Sequence, residues 1–176
     1  MSMQVIEHIE VGSGGAASIT FSSIPQDYTD LYLVCSLRVA SGTSYYWDVD
    51  LNLNGESARN WRGLYTTGSS PASSSSSAFN IIGGANGNAA TASTFANIST
   101  YIGNYTSTGV KALSSDGVVE NNSGLSFLLS INANTITNSA AVDTLTLAVA
   151  SNTFAEYSSA TLYGITAGSD GSTTVS

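Results

Sequence analysis

Charged side chains are scarce in this sequence. They make up 9% of its 176 residues, and four Lys or Arg against twelve Asp or Glu give a formal net charge of −8. An ordinary soluble domain carries about 25% charged residues. The cations are Arg38, Arg59, Arg62 and Lys111. Four scattered cations cannot form the basic stripe that nucleic-acid binding requires, so we expect no binding to DNA or RNA, and none to an anionic membrane.

Cysteine and histidine are nearly missing as well. A single cysteine, Cys35, allows no disulfide within these residues, and its inward position in a predicted strand indicates a buried, inert thiol. The single histidine, His8, lies in a predicted edge strand, where we expect an exposed or structural role. No phosphate-binding loop and no G-x-S-x-G motif occurs. We therefore predict no catalytic, cofactor-binding or metal-binding residues, no cofactor and no enzymatic activity.

Long apolar runs and helical periodicity are also missing. No run approaches the roughly 20 apolar residues that cross a bilayer, and the N-terminus lacks the basic and apolar segments of a signal peptide. Ser, Thr, Asn, Gly and Ala take the place of charged residues, a composition typical of extracellular or particle surfaces. A virus particle would reconcile such a surface with the missing export signal, because its proteins are made in the host cytoplasm and work outside it.

Strict alternation of apolar and polar residues is clearest between residues 31 and 65. The alternating apolar positions are Leu31, Leu33, Cys35, Leu37 and Val39, then Trp47, Val49, Leu51 and Leu53. A period of two places each set on one face of a strand. We interpret the stretch as two half-buried antiparallel strands of a hairpin, a turn at Asn54-Gly55, and a return strand carrying Trp61 and Tyr65.

Short strands separated by turns are predicted along the rest of the chain. They cover residues 4–11, 18–22, 79–82, 94–102, 110–113, 125–131, 142–150 and 160–165, with turns at 83–88 and 114–124. This pattern predicts an all-β fold, a single-domain antiparallel β-sandwich that is jelly-roll-like and spans residues 1–176. Within it we predict an N-terminal arm or edge strand at 1–15, a flexible Ser-rich loop at 68–78 and a loose tail at 168–176.

One segment resembles a calcium loop. The run from Asp50 to Gly55 matches the first six positions of a Ca²⁺-binding helix-loop-helix motif. Position twelve, which should be a bidentate carboxylate, is Trp61, and Leu51 requires a dry face that a calcium loop lacks. A strand running into a turn is the preferred interpretation. A weak surface Ca²⁺ site at Asp48 and Asp50 stays as an alternative, and we expect Asp50→Asn to matter little.

Surface aromatics are the remaining candidates for binding. Six tyrosines fall at outward, turn or ambiguous positions: Tyr32, Tyr45, Tyr46, Tyr101, Tyr105 and Tyr157. Tyrosine at a surface stacks on sugar rings or anchors protein interfaces. The other interpretation is that each covers a sheet edge as an isolated half-buried side chain.

Several phrases occur together in an order that resembles a known group. They are ITFSSIPQDYTDL at 19–31, LNLNG at 51–55, YIGNYTS at 101–107 and ATLYGI at 160–165. The combination resembles small all-β structural proteins of marine and other tailed bacteriophages. The resemblance implies a virion component and carries over no site residues.

The function expected from these observations is structural. The leading hypothesis is a non-enzymatic capsid decoration (cement) protein on the virion surface, which binds the outside of the major capsid protein shell as a homo-oligomer, with a trimer favoured. The alternative is the receptor-binding tip of a tail or head fibre that recognises host glycan. A third class, a secreted carbohydrate-binding module, is disfavoured by the missing export signal.

Overall fold

A computed structural model describes residues 2–56, 58–68, 70–120, 128–137 and 140–167. Over this part of the chain it contains twelve β-strands and no helix. The strands are β1 (Ser2–Glu10), β2 (Ser18–Phe21), β3 (Asp30–Leu37), β4 (Tyr46–Leu53), β5 (Arg59–Thr67), β6 (Ser70–Ser76), β7 (Ile81–Asn86), β8 (Ala96–Ile102), β9 (Lys111–Val118), β10 (Leu128–Ile136), β11 (Leu145–Val149) and β12 (Ser159–Thr166). No segment among the described residues forms a helix that could cross a membrane.

The strands form two antiparallel sheets. One has eight strands in the order β1-β12-β3-β8-β9-β10-β5-β6, and the other has four in the order β2-β11-β4-β7. Every pair of neighbouring strands is antiparallel. The predicted all-β antiparallel sandwich is therefore confirmed.

Eight of the strands have the connectivity of a jelly roll. The row β1-β12-β3-β8 faces the row β2-β11-β4-β7. The chain crosses from one row to the other at each step from β1 to β4. It crosses again from β7 to β8, from β8 to β11 and from β11 to β12. This is the double Greek key of a jelly roll, in agreement with the sequence-based expectation.

Two inserted hairpins enlarge one sheet. The hairpin β5–β6 follows β4, and the hairpin β9–β10 follows β8. Pairing of β10 with β5 joins the hairpins, so that β9-β10-β5-β6 continues the larger sheet beyond β8. We call these four strands the extension. The remaining eight strands are the jelly roll.

The core lies between the two rows of the jelly roll. Its buried side chains include Leu31, Leu33, Cys35 and Leu37 of β3, Val49, Leu51 and Leu53 of β4, and Leu145 and Leu147 of β11. These are the inward positions that the alternation predicts, so the assignment of dry faces is confirmed. Removal of this apolar surface from water is the main driving force for the fold.

The predicted hairpin between β3 and β4 is wrong. β3 pairs with β12 and β8 in the larger sheet, whereas β4 pairs with β11 and β7 in the smaller one. The predicted strand carrying Trp61 and Tyr65 is present as β5, but it pairs with β10 and β6 and not with β4. Alternation identifies a face that is buried, and two such faces can meet across a core as well as they can lie side by side. Periodicity alone does not separate these cases.

Three predicted loops are strands. Ser70–Ser76, placed in a flexible loop at 68–78, forms β6 and pairs with β5 from Thr67 to Trp61. The predicted turns at 83–88 and 114–124 contain the ends of β7 and β9. Serine and glycine provide no hydrophobic pattern, and the ladder hydrogen bonds that hold such strands leave no mark in the sequence.

Close packing explains the glycines of β7. A Cβ atom at Gly84 would lie 2.8 Å from Leu128 Cδ2, so any larger residue there would displace the Leu128 side chain from β7. β7 also packs against β8 and β9. At the N-terminus, β1 pairs with β12 alone and is an edge strand, one of the two forms predicted for residues 1–15. The predicted tail at 168–176 lies outside the described residues.

Candidate functional site

The middle of the extension reverses the usual polarity of a sandwich, although Trp61, Leu113, Leu128 and Ile136 are also buried on its inner face. Its inner face buries Ser115 of β9 and Ser130, Asn132 and Asn134 of β10. Its outer face exposes Val118, Leu129, Ile131 and Leu64, the last two being 67% and 64% exposed. Successive side chains of a strand point to opposite faces, so both features follow from a single register. An exposed apolar face of this kind usually marks an interaction site.

Strand register gathers these apolar side chains into one surface. Ile131 lies directly opposite Leu64 on β5, and Leu129 lies opposite Val118 on β9. Val34 of β3 continues the surface onto the jelly roll. Together they line an open concavity of about 680 Å³, which we call the outer groove. Asp116, the acidic residue that lines the groove, accepts a hydrogen bond from Ser99 Oγ at 2.6 Å.

Three tyrosines adjoin the outer groove. Tyr163, Tyr32 and Tyr101 are neighbours on β12, β3 and β8. Tyr32 is half-buried and lines the groove, while Tyr101 is exposed. Interaction with Asp30 raises the pKa of Tyr101 above its usual value, and partial burial adds to this. Aromatic side chains beside an apolar patch are typical of the centre of a protein interface.

A second concavity, the inner cleft, lies on the other face of the extension. Its volume is about 280 Å³, and its walls come from β5, β6 and β10 on one side and from β4 and β7 on the other. Its lining side chains include Tyr46, Asp48, Tyr65, Ser74, Phe79 and Asn132. The extension continues past β7, the edge strand of the smaller sheet. The inner cleft lies between the extension and the smaller sheet.

Hydrogen bonds fix the floor of the inner cleft. Trp61 Nε1 donates to Asn132 Oδ1 at 2.9 Å, and Asn132 Nδ2 donates to Ser130 Oγ at 3.3 Å. A Cβ atom at Gly63 would lie 2.4 Å from the Trp61 indole, so glycine makes room for the ring. The amide of Asn132 is thereby held in one orientation at the floor.

Asp48 is the ionisable acid of the cleft. Asp48 is exposed to solvent at the cleft, and partial desolvation by the surrounding walls raises the pKa of its carboxyl group. Burial also raises the pKa of the neighbouring Tyr46, and the Asp48 charge adds to that shift. None of the described residues donates a hydrogen bond to the Asp48 carboxylate or forms an ion pair with it.

The structure speaks against the calcium alternative at Asp48 and Asp50. Asp50 Oδ2 lies 2.6 Å from Arg59 Nη1, and Asp50 Oδ1 accepts the backbone N–H of Asn80 at 2.7 Å. Within the described ranges, no three His, Cys, Asp or Glu side chains are grouped to hold a metal ion. The preferred interpretation is confirmed, because β4 ends at Leu53 and the chain turns at Asn54, where φ is 53°.

Cys35 and His8 occupy the predicted environments. Cys35 is buried in β3, and burial raises the pKa of its thiol, which disfavours the reactive thiolate. His8 is exposed on β1, with Nδ1 2.8 Å from Thr161 Oγ1.

The six candidate tyrosines have four different environments. Tyr46 lines the inner cleft, Tyr32 and Tyr101 lie at the outer groove, and Tyr45 and Tyr157 are exposed away from both. Tyr105 is buried, and its hydroxyl donates to the carbonyl of Pro25, so its prediction as a surface residue is wrong.

Other site residues lie outside the sequence-based candidates. Leu64, Leu129 and Ile131 lie in strands where alternation suggests an inward direction. Trp61 and Asn132 are brought together only by the pairing of β5 with β10. That pairing joins two separate insertions, and no local sequence signal indicates it.

Comparison with known proteins identifies no relative. No protein-family model matches the chain, and no curated protein matches it. The function must therefore be argued from the two concavities themselves.

Proposed function

We propose that this protein is a non-enzymatic structural component of a bacteriophage virion, a capsid decoration protein that binds the outer surface of the major capsid shell. The observation that supports the proposal is the apolar outer face of the extension. The resemblance of the sequence to phage structural proteins indicates the kind of partner.

The outer groove has the chemistry of a protein-binding surface. Leu64 and Ile131 form its centre, with Leu129 and Val118 beside them and Tyr32 at the margin. Burial of apolar area at about 25 cal/mol per Å² drives association, and hydroxyl and amide side chains at the rim add hydrogen bonds.

The mechanism of decoration is thermodynamic. A protein that binds the assembled shell but not free capsid subunits stabilises the shell by mass action, in proportion to the logarithm of its concentration over Kd. It needs no catalytic residue. The protein would be synthesised in the host cytoplasm and act at the particle surface as a homo-oligomer, with a trimer as the expected state.

Binding to shells of the parent phage tests the proposal. Purified protein mixed with shells that lack it should co-sediment with them, and regular density over the capsid lattice should appear in images of the particles. Leu64→Asp combined with Ile131→Asp should abolish co-sedimentation while leaving the circular dichroism spectrum unchanged. Val110→Asp is the matched control, because Val110 is exposed to a similar degree and lies outside the groove.

Two outcomes would overturn the decoration proposal. One is a few copies at the tail of intact particles, with none on the shell. The other is undiminished shell binding by the double variant. The expected trimer is checked separately by sedimentation equilibrium.

The alternative of a receptor-binding fibre tip is supported by a different observation. A tip that recognises host glycan needs a site for a sugar, and the inner cleft has both aromatic and polar walls. Location at the tail or on a head fibre would favour this function over decoration.

A further inference from the structure

We propose that the inner cleft binds one ring of a neutral saccharide. This inference does not rest on the decoration proposal, because either a decoration protein or a fibre tip could carry such a site. It rests on the size of the cleft, its aromatic walls and the hydrogen-bonding groups between them.

The volume of the cleft limits the ligand. Small-molecule sites usually occupy about 300–1,000 Å³, and the inner cleft, at about 280 Å³, lies just below that range. It is partly open to solvent, so a single ring could enter while the rest of a chain extends outside. A long polymer and an extended peptide are both too large to fit inside the cleft.

The aromatic walls match the apolar face of a sugar ring. Phe79 is 48% exposed although it lines the cleft, and Tyr46 and Tyr65 are half-buried beside it. Aromatic rings are rigid and present large areas at a small entropic cost, so they are effective contact surfaces for a ligand with C–H groups on one face. Phe79 follows β6 in the chain and belongs to neither hydrophobic core.

The polar groups match the hydroxyl rim of the same ring. The Asp48 carboxylate is partly desolvated and receives no hydrogen bond from any described residue. Hydroxyl groups that donate to it would restore what burial removes, and hydrogen bonds to charged acceptors are the stronger ones. Ser74 adds a hydroxyl partner on the opposite wall, and Asn132, whose amide is bonded to Trp61 and Ser130, shapes the floor beneath the ring.

Electrostatics favour a neutral ligand over an anionic one. The chain carries a net charge of −8, and Asp48 places negative charge inside the cleft. Arg59 of β5 forms an ion pair with Asp50, so its charge is not available to an anionic ligand. A quaternary ammonium ion would suit the aromatic rings and Asp48, but it would donate no hydrogen bond to the Asp48 carboxylate or to the Ser74 hydroxyl.

Titration with small ligands tests the inference directly. The probes are the methyl glycosides of glucose, galactose, mannose and N-acetylglucosamine, with choline and N-acetylneuraminic acid as comparisons, followed by amide chemical shifts. At least one neutral glycoside should bind with a Kd on the order of 1 mM and shift amides of β4, β5 and Phe79. Choline and the anionic sugar should cause no saturable shifts.

Variants separate the cleft from the rest of the surface. Phe79→Ala and Asp48→Asn should each weaken glycoside binding by about tenfold, which corresponds to the loss of one good contact. Tyr101→Ala and Asp116→Asn are the matched controls on the outer face, and they should leave Kd unchanged. Each variant is first checked for a cooperative thermal transition that is no lower than that of the parent protein.

Three results would overturn the inference. They are the absence of binding by every neutral glycoside, saturable binding of choline alone, and shifts that map to the outer groove. None of these results bears on shell binding through Leu64 and Ile131, so the two proposals fail separately.

Discussion

The jelly roll and the extension use the same kind of strand in opposite ways. In the jelly roll, β3 and β4 turn leucine and valine inward and mostly polar side chains outward, with Val34 as the exception. In the extension, β10 turns Ser130 and Asn132 inward, and its Leu129 and Ile131 point outward. Both regions keep a strict period of two, and only the assignment of faces differs.

The difference follows from what each inner face meets. The two rows of the jelly roll pack against each other over a wide area, so apolar side chains there are removed from water on both sides. The inner face of the extension adds Leu113 and Ile136 to that core, and elsewhere it meets β7, β4 and the inner cleft. Asn132 suits that place because both atoms of its side-chain amide are hydrogen-bonded. The apolar outer face has no cover within the chain, which is the reason to assign it a partner.

The largest expected effect comes from placing the same charge in the two regions. Leu51→Asp, in β4, buries an unpaired carboxylate in the jelly-roll core, and this cost rivals the whole stability of a domain, about 5–15 kcal/mol. We expect no folded protein. Leu64→Asp, on the outer face of β5, should change the free energy of unfolding by only about 0.5 kcal/mol. Chemical denaturation of the two variants measures the contrast.

A folded Leu51→Asp variant would show that the faces of β4 are reversed. Unfolding of Leu64→Asp would show instead that the outer face of the extension is covered in the isolated protein. Leu53→Asp serves as a second core variant, since Leu53 is equally buried in the same strand.

The second prediction tests whether hydrogen bonding holds the extension together. Asn132→Ala leaves the Trp61 N–H, in a buried indole, without its acceptor and should cost about 2 kcal/mol. Adding Trp61→Phe removes that stranded donor, so the double variant should lose less than the sum of the two single changes. A double-mutant cycle of unfolding free energies measures the coupling. Additive effects would mean that the 2.9 Å contact contributes nothing.

The sequence predicts the jelly roll well because its strands alternate by hydrophobicity. The inward positions of β3, β4 and β11 follow from the period alone, and the Asn54-Gly55 turn follows from the tolerance of these residues for positive φ. The class of fold follows from the number and spacing of such strands. Sheet membership does not, since the alternation in β3 and β4 is compatible with a hairpin and with two facing strands.

Hydrophobic alternation does not predict the extension. β6 consists of serine with one proline and one alanine, which resembles a flexible linker although backbone hydrogen bonds hold it to β5. In β10 the usual rule would turn Ile131 inward and Asn132 outward, the reverse of what is observed. Both candidate sites depend on the pairing of β5 with β10, a contact between distant segments that strand patterns do not specify.

A smaller effect is expected where β5 of the extension meets β4 of the jelly roll. Asp50→Asn breaks the ion pair with Arg59, whose side chain is only 14% exposed, and should lower the free energy of unfolding by about 1–2 kcal/mol. This replaces the sequence-based expectation that the change matters little. Asp27→Asn is the control, because Asp27 is exposed and makes no ion pair among the described residues. Equal thermal transitions for both variants would contradict the prediction.

The smallest expected effect is a gain in stability and not a loss. It concerns Asp48, which lies two residues before Asp50 on β4. Burial raises the pKa of Asp48 above that of the unfolded chain, so the folded state binds this proton more readily. Ionisation therefore costs stability, and that cost grows as pH rises through the interval between the unfolded and the folded pKa. Asp48→Asn should raise the melting temperature slightly at pH 7 and leave it unchanged at pH 3. A lower melting temperature at pH 7 would show that the carboxylate stabilises the fold. A carboxylate that weakens the fold while lining a cleft is the pattern expected of a binding residue, so the sign of this shift bears directly on the saccharide site.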